Sequence, residues 1–502
     1  MNHLRTWKAS LSQERTLAIV LLALGLLLRL RQYLTNRSLW VDEAMLALNI
    51  VNRSFAELFK PLDYNQGAPI GFLLVEKFLN LFLERNELVL RFFPLLAGSL
   101  SLWLFYLLLK RTTRGIGLFA ALALFTLNPR LVYYSSEVKQ YIVDVAVTLA
   151  LLLVAASLFD ASPCRKDFVR LAAAGLFALW FSHPALFVLA GIGLTLAIVY
   201  IRRRDYSSLR GILGVGFLWM IAIGLLYFLV LKDLSQNDYM REYWAGAFLP
   251  MPPWSDPGWF LENLSGTIGI QFGMPYAVLL VFALMLIGWS VLFIQNREYA
   301  LVFACIGLVT LAASALQLYP VFERMILFLV PLGLVLLGKA VEGLQSGLKK
   351  YPVPGILSAL LLTGFLIYGP LTTSFRSFAT PKYFEHIRPS MDYLRDYSKP
   401  GDTLYVYYNA IPAFRFYEPK YGLALENTVI GSDHSGDPQA YYPELDQLDG
   451  RKRVWLLFSH VYEVDEFNER NFILKYVDQL GKKVREYRVP GTSVFLYLYD
   501  LK

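Results

Sequence analysis

Residues 16–34, TLAIVLLALGLLLRLRQYL, form an apolar run, and the stretch SLWVDEAMLALN follows at residues 38–49. A helix of the first stretch, rising about 1.5 Å per residue, is long enough to cross the hydrocarbon core of a membrane. The run therefore predicts a membrane-spanning helix. Two acids, Asp42 and Glu43, stand shortly after it, and a carboxylate pair so close to an apolar span needs an explanation.

The composition of the whole chain extends this prediction. Of 502 residues, 56% are hydrophobic and 17% are charged, and the mean hydropathy is +0.45, which excludes an ordinary soluble protein. Alternating strands of about ten residues do not recur, so the spans are predicted to be helices and not barrel strands. The net charge of +8 comes from basic residues beside apolar runs, which indicates membrane topology and no nucleic-acid partner. The two cysteines, Cys164 and Cys305, predict neither a disulfide framework nor a thiolate metal site.

The apolar runs predict a polytopic α-helical membrane protein with about eleven spans. They lie at residues 16–34, 92–109, 115–129, 142–159, 168–182, 184–201, 211–231, 276–294, 299–316, 325–341 and 355–373, the third and the fifth being short. With the N-terminus inside the cell, the inner connecting segments carry clustered Lys and Arg, as the positive-inside rule requires. An odd number of spans then places the C-terminus outside. Residues 1–373 are predicted to form this membrane domain.

Two amphipathic stretches in the first outer segment, residues 44–60 and 68–83, predict helices lying at the outer membrane interface. Glu76 and Lys77 inside the second stretch make a full crossing costly, by about 2.5 to 3.5 kcal/mol per charge. A further outer segment, residues 232–275, is rich in Trp, Tyr, Pro and Gly and predicts a lid over a ligand.

Residues 374–502 predict a small external α/β domain, because apolar density falls and helical and strand periodicities alternate. Helices are predicted at 390–398 and 466–480, and strands at 402–408, 452–458, 483–489 and 493–501. No Gly-rich phosphate loop precedes these helices, so no nucleotide-binding fingerprint is present.

Two polar motifs at the outer ends of spans stand out. In the first, Asp42 and Glu43 would also suit the start of a helix, where Asp caps well and Glu favours the first turn. The second is NPRLVYYSSEVKQY at 128–141, which carries Glu137, Lys139 and Tyr141. An ordinary interfacial belt of Tyr and Lys is the alternative explanation for this motif. Together with a lid, the two motifs favour a functional site.

In their order along the chain, WVDEA, NQGAPIGFLL, ELVLRFFPLLAGSLSLWLFYLLLKR and YYSSEVKQY resemble bacterial members of the GT-C glycosyltransferase superfamily. The group that includes the protein O-mannosyltransferases and the lipid A aminoarabinose transferase is the most similar, and the resemblance covers about residues 15–340. It implies a transferase that uses a polyprenyl-phosphate sugar as donor at the outer membrane face.

The resemblance also implies roles for individual residues. Asp42 matches the first acid of the family's acidic pair, to which a general-base or acceptor-positioning role is assigned, and Glu43 matches the second. Glu137, Lys139 and Tyr141 match the second motif, in which the basic residue commonly faces the lipid phosphate.

Two later residues match as well. Arg324, in YPVFERMILFLVP, matches a late basic motif, although Met325 replaces the usual tyrosine. His183, in FSHPALF, matches a frequent histidine in a middle span and is a candidate for substrate binding; a lone histidine near a span end is otherwise commonly structural.

Cofactors and metals are less defined. Many relatives have a histidine before the proline of the NQGAPIG segment at 65–71, often suspected in metal or donor binding, and this chain has none. A divalent metal therefore stays open, and Asp42 and Glu137 would be its ligands if one binds. No other cofactor is expected.

The chemistry fits these residue types. A lipid phosphate is already a good leaving group, so the protein needs cations at the phosphate, here Lys139 and Arg324, and a base at the nucleophile, here Asp42. A single carboxylate base and the resemblance favour inversion at the sugar. The expected partners are membrane lipids, a polyprenyl donor, undecaprenyl from the bacterial character of the chain, and a glycan, lipid or protein acceptor. The expected location is the bacterial cytoplasmic membrane.

A lipid or glycolipid transporter, or flippase, is the main alternative, because charges near membranes also mark transport pathways. Such a protein would more naturally have inverted repeats and charges near the midplane of several spans. In this sequence the charges gather at the outer ends of the spans.

Overall fold

The computed structural model describes residues 2–501 except 84, 160–162, 382, 424, 426, 465 and 466, and it describes side chains from residue 14 onward, apart from those of 264 and 268. The described chain divides into two compact units. The first comprises Met1–Leu34, Phe55–Glu76 and Arg91–Thr380. The second comprises Thr35–Ser54, Lys77–Leu90 and Pro381–Lys502. Each is described by itself below.

The elements described before residue 403 are helices, and the first strand begins at Thr403. The α-helices are α1 (Asn2–Leu34), α2 (Val41–Asn52), α3 (Ile70–Asn80), α4 (Glu87–Leu90), α5 (Phe92–Thr112), α6 (Gly115–Leu127), α7 (Pro129–Tyr134), α8 (Tyr141–Ala155), α9 (Arg165–Phe181), α10 (Ala185–Arg203), α11 (Tyr206–Leu226), α12 (Lys232–Ser235), α13 (Asp238–Tyr243), α14 (Pro257–Phe272), α15 (Val278–Gln295), α16 (Arg297–Ala315), α17 (Val330–Gly347), α18 (Pro352–Ala379), α19 (Arg388–Tyr397), α20 (Ile411–Tyr421), α21 (Tyr441–Asp446) and α22 (Glu469–Leu480). The strands are β1 (Thr403–Val406), β2 (Asn427–Ile430), β3 (Arg453–Phe458), β4 (Glu463–Val464), β5 (Phe467–Asn468), β6 (Gly481–Arg488) and β7 (Phe495–Leu501).

The first unit is a multi-pass helical membrane domain, as predicted. Within the described residues, nine helical segments are long and apolar enough to cross a membrane. All eleven predicted spans are helices, and the two predicted to be short are α6, with 13 residues, and α9, with 17. At about 1.5 Å per residue, α6 covers only about 20 Å of a hydrocarbon core that is about 30 Å thick.

Small residues allow the helices of the first unit to pack closely. Gly117 of α6 lies against the backbone of Gly338 in α17, and Gly288 of α15 lies against the carbonyl of Leu336, also in α17. A Cβ at Gly117 or Gly288 would overlap these carbonyl oxygens. Close approach through small residues is the usual basis of helix association in membranes, where water provides no hydrophobic driving force.

The segments predicted to lie outside the membrane differ in detail from their predicted secondary structure. The helix expected over 44–60 is α2, which begins at Val41 and ends at Asn52, and residues Glu57–Phe59 form a separate 3-10 turn. The second amphipathic stretch contains α3. The segment predicted as a lid, 232–275, contains the helices α12, α13 and α14, so much of it is regular structure.

The C-terminal residues of the second unit form the predicted sheet domain. Its five-stranded sheet has the order β2-β1-β3-β7-β6. β1 lies parallel to β2 and to β3, β7 runs antiparallel to β3, and β6 runs antiparallel to β7. β1 is buried throughout, and β3 is buried except at its first residue, as is typical of parallel strands covered on both faces.

The second unit also contains residues from early in the chain. The predicted domain boundary between residues 373 and 374 lies inside α18, and the unit that holds the sheet includes Thr35–Ser54 and Lys77–Leu90. The hydroxyl of Tyr417, in α20, accepts a hydrogen bond from the backbone N–H of Leu39 and donates one to Glu87, each over 2.9 Å. The helix that carries Asp42 is therefore anchored on the sheet domain.

Candidate active site

Asp42 lies in the first turn of α2 and is half-buried. The N-cap residue of this helix is Trp40, whose side chain makes no capping hydrogen bond. The backbone N–H of Val41 donates instead to Oε2 of Glu385, over 2.9 Å. Asp42 thus does not occupy the N-cap position, but Asp42 and Glu43 both lie in the first turn of α2, where acids suit the helix dipole.

Glu43 faces a different environment. Its side chain is fully buried, and Oε2 lies 3.8 Å from Nη2 of Arg37, which is also buried. A buried carboxylate is tolerated when an opposite charge compensates it. This contact connects Glu43 to the segment before α2, and a catalytic role for Glu43 stays a prediction.

The second motif lies in the first unit, where it meets the NQGAPIG segment. Glu137 is fully buried, and Lys139 is only 4% exposed. The ammonium group of Lys139 donates to Oε1 of Gln66 over 2.6 Å, and the side-chain amide of Gln140 donates to the carbonyl of Gly67 over 3.4 Å. These contacts join two motifs that are distant in the sequence, since Gln66 and Lys139 are 73 residues apart.

Arg324, from a later part of the chain, contacts the same motif. It lies in the 3-10 segment Glu323–Leu329, and its Nε donates to the hydroxyl of Tyr141 over 3.1 Å. Its guanidinium carbon also lies 5.9 Å from the centre of the Tyr141 ring, within cation–π range. The structure therefore brings the predicted Arg324 and Tyr141 together.

Tyr134 is a neighbour of this cluster that the sequence analysis did not select. Its ring centre lies 5.4 Å from that of Tyr141. Burial, and then the nearby Glu137, raise the pKa of Tyr134 well above its usual value, while Arg130 and Arg324 act in the opposite direction. Tyr134 therefore stays a neutral hydroxyl between an acid and two cations.

Asp144 is a second residue that the sequence analysis missed. It lies in the first turn of α8, is 3% exposed, and has a side-chain hydrogen bond with Ser182. Tyr319 is close enough for Asp144 to add to the rise in its pKa, which burial causes in the main. The sequence did contain a signal, because an acid inside a predicted span is by default a candidate functional residue.

His183 lies between α9 and α10, immediately after Ser182. Desolvation lowers the pKa of its imidazole to about 4, so the ring is neutral at pH 7. A neutral ring is suited to hydrogen bonding and not to pairing with a phosphate.

The predicted site residues are divided between the two units. Asp42 and Glu43 belong to the second unit, whereas Glu137, Lys139, Tyr141, His183 and Arg324 belong to the first. Within the part of the chain that the structure describes, no group of three or more His, Cys, Asp or Glu residues is arranged to hold a metal ion. Asp42 and Glu137 as metal ligands stay a prediction.

Comparison with solved structures gives the fold a precedent. The chain is similar to ArnT from Cupriavidus metallidurans in its apo state, with a TM-score of 0.53, 12% sequence identity and 98% of each chain covered. It is similar to the same protein bound to undecaprenyl phosphate, with a TM-score of 0.52, 13% identity, and 96% of this chain and 97% of that chain covered. An oligosaccharyltransferase from Archaeoglobus fulgidus, in complex with Zn and sulfate, gives a TM-score of 0.49 at 14% identity, over 87% of this chain and 67% of that chain.

No protein-family model and no curated protein sequence matches the chain. At 12–13% identity the two ArnT structures establish the architecture, which extends over nearly the whole chain. The chain therefore shares the fold of the ArnT structures.

Proposed function

We propose that this chain, which has the GT-C fold, is a membrane glycosyltransferase that moves a sugar from a polyprenyl-phosphate donor to an acceptor at the outer face of the cytoplasmic membrane. The observation that carries the proposal is the cluster of Lys139, Tyr141 and Arg324 in the membrane unit. Lys139 belongs to the motif at residues 128–141, and Arg324, from a distant part of the chain, donates to Tyr141 of the same motif.

The donor phosphate would bind at this cluster. Lys139 is almost fully buried, and its ammonium group donates to the amide oxygen of Gln66 over 2.6 Å. A buried cation attracts an anion more strongly than a cation in water does, because the surrounding dielectric constant is low. A lipid phosphate is such an anion, and Arg324 can add a charge-assisted hydrogen bond to it. The ArnT structure with undecaprenyl phosphate supports a polyprenyl phosphate as the ligand of this fold.

The acceptor would be activated by Asp42. The acceptor hydroxyl or amine attacks the anomeric carbon, the bond between that carbon and the phosphate oxygen breaks, and the acceptor proton passes to the Asp42 carboxylate. The cations at the phosphate stabilise the negative charge that develops there. A direct displacement of this kind inverts the anomeric configuration. Undecaprenyl as the lipid and the bacterial cytoplasmic membrane as the location belong to the same proposal.

The proposal can be tested in nanodiscs. The purified protein is supplied with radiolabelled polyprenyl-phosphate sugars and a total lipid extract as acceptor, and the release of polyprenyl phosphate is measured. We expect turnover by the wild type and at least a 100-fold lower rate for Arg324→Gln, which removes a cation from the cluster. Lys77→Gln is a matched control, because it makes the same change in the second unit, where the ammonium group of Lys77 donates to the carbonyl of Val51 over 3.0 Å.

Turnover that Arg324→Gln leaves unchanged would overturn the phosphate site. An absence of turnover with every donor, together with movement of a labelled donor between the leaflets of sealed vesicles, would replace the transferase proposal with the flippase.

A further inference from the structure

The start of α2 rests on a glutamate and a histidine from the sheet domain of the second unit. Glu385 is 3% exposed and comes just before α19. One oxygen of its carboxylate, Oε2, accepts the hydrogen bond from the N–H of Val41, and the hydroxyl of Ser459 lies 3.4 Å from the same oxygen. The other oxygen, Oε1, lies 2.6 Å from Nδ1 of His460. One buried carboxylate therefore holds both the helix that carries Asp42 and the imidazole of His460.

Glu385 holds the imidazole of His460 near the start of α2. The hydrogen bond with Glu385 raises the pKa of His460, desolvation acts against this rise, and the charges of Glu385 and then Asp42 add to it. Trp40 is the N-cap residue of α2, and the centre of its ring lies 6.3 Å from that of the imidazole. His460 therefore lies at the start of the helix that carries Asp42.

The backbone at His460 is held in an uncommon conformation. Its φ angle is +52°, in the left-handed region that residues other than glycine seldom adopt. The side-chain amide of Asn409 donates to the carbonyl of His460 over 3.0 Å, which fixes this turn. Such strain gathers at functional sites, where surrounding contacts hold a side chain in a required position.

The topology of the sheet points to the same place. β1 lies between β2 and β3 in the sheet. After β1 the chain adds β2 at one edge of β1, and it then returns to add β3 at the opposite edge of β1. In open α/β sheets, ligands bind at the carboxyl ends of the strands where the order reverses in this way. His460 follows the carboxyl end of β3, and Asn409 follows that of β1. The end of the sheet that usually carries function is therefore the end that holds α2.

We propose that His460 and Glu385 are positioning residues for Asp42 in the transfer reaction, an inference that rests on the proposed function. Glu385 fixes the first turn of α2 and the imidazole together, and the imidazole orients the Asp42 carboxylate toward the acceptor. The acceptor gives its proton to Asp42, the phosphate leaves with the bonding electrons, and His460 exchanges no proton. The second unit thus holds the Asp42 carboxylate in its working orientation.

The test uses the full chain in nanodiscs and separates kcat from the KM for the donor. We expect His460→Gln and Glu385→Gln each to lower kcat by about 10- to 100-fold and to leave the donor KM unchanged, because the donor phosphate is held by residues of the first unit. The double variant should lose no more than the larger of the two single losses, because the pair acts as one device.

Two controls keep the result interpretable. Glu385→Gln retains an oxygen that can accept from the N–H of Val41, so a purely structural capping role predicts wild-type kcat for this variant. His434→Gln removes a histidine from a matched pair in the same domain, where Nε2 lies 3.3 Å from Oε2 of Glu444. We expect His434→Gln to keep kcat within twofold of the wild type.

The outcomes distinguish this inference from the function on which it rests. One outcome is that the wild type transfers sugar, Asp42→Asn loses this activity and His460→Gln keeps it. In that case the positioning role of His460 is wrong, and the transferase proposal stands. If Asp42→Asn transfers at the wild-type rate, Asp42 is not the base, and the positioning role fails with it.

Discussion

Replacing Lys139 by glutamine tests the donor-phosphate site quantitatively. Lys139 is 4% exposed, and its ammonium group donates a hydrogen bond of 2.6 Å to the amide oxygen of Gln66. Glutamine keeps a polar group of similar reach, so the change removes the charge with little loss of volume. A hydrogen bond to a charged group contributes about 1.5 to 3 kcal/mol. At about 1.4 kcal/mol for each factor of ten, the Kd for polyprenyl phosphate should rise by about 10- to 150-fold.

The assay is equilibrium binding of undecaprenyl phosphate to the protein in nanodiscs, measured by its competition with a fluorescent analogue. Lys77→Gln again serves as the control and should bind like the wild type. Gln66→Leu is an informative companion, because it removes the partner of Lys139 and leaves the charge; the affinity should fall far less than in Lys139→Gln. A Kd for Lys139→Gln within threefold of the wild-type value, in a protein with unchanged thermal unfolding, would refute the assignment of Lys139 to the phosphate.

Three further changes have defined outcomes. Arg37→Gln removes the positive charge that lies 3.8 Å from the fully buried Glu43, so the free energy of unfolding should fall by about 3 to 5 kcal/mol. Thermal and denaturant unfolding measure this change, and an unchanged stability would contradict a stabilising contact between Arg37 and Glu43. Tyr141→Phe removes the hydroxyl that accepts from Nε of Arg324 over 3.1 Å; donor Kd should rise by about fivefold to tenfold, from about 1 to 1.5 kcal/mol, in the same binding assay, and wild-type affinity would exclude that contact as important. Burial lowers the pKa of His183 from 6.5 to about 4 in the folded state, so the unfolded state takes up the proton first, and stability falls as the pH drops from about 6.5 to about 4. In pH-dependent unfolding, His183→Asn should lose less stability over this interval than the wild type. An equal loss would mean that other groups cause the acid sensitivity.

The helical membrane architecture followed from the sequence because each span is a local signal. Hydrophobic length alone located all eleven helices. In the 68–83 stretch, which is predicted to lie at the membrane interface, α3 has 11 residues, and its position relative to the membrane stays a prediction. Elements of the sheet domain with local alternation, such as β3 and β7, were also predicted. α20 was missed because Pro412 and Pro419 give its sequence the composition of a loop, and β2 because its four residues are mostly exposed.

The contacts that assemble the candidate site could not be predicted in the same way. Glu385 meets Val41 across 344 positions of sequence, and Arg324 meets Tyr141 across 183. No local pattern encodes such pairs, so the sequence alone does not indicate His460 and Glu385. Asp144 is different, because an acid three residues after Tyr141, inside a predicted span, is visible in the sequence.

Stereochemistry gives an independent check of the reaction. The proposed single displacement inverts the anomeric centre, so the coupling constant of the anomeric proton in the product, measured by NMR, should show the configuration opposite to that of the donor. Retention of configuration would require a nucleophile and an intermediate that the proposed role of Asp42 does not provide.

The most direct test of the account is the rate of sugar transfer by Asp42→Asn against wild type, measured with the same polyprenyl-phosphate donor in nanodiscs. Asparagine keeps the volume and one oxygen of the carboxylate but cannot accept the acceptor proton. The account predicts a loss of at least about 100-fold in kcat, in the range of a general base, with donor Kd unchanged. A variant that binds donor and transfers sugar at the wild-type rate would contradict it.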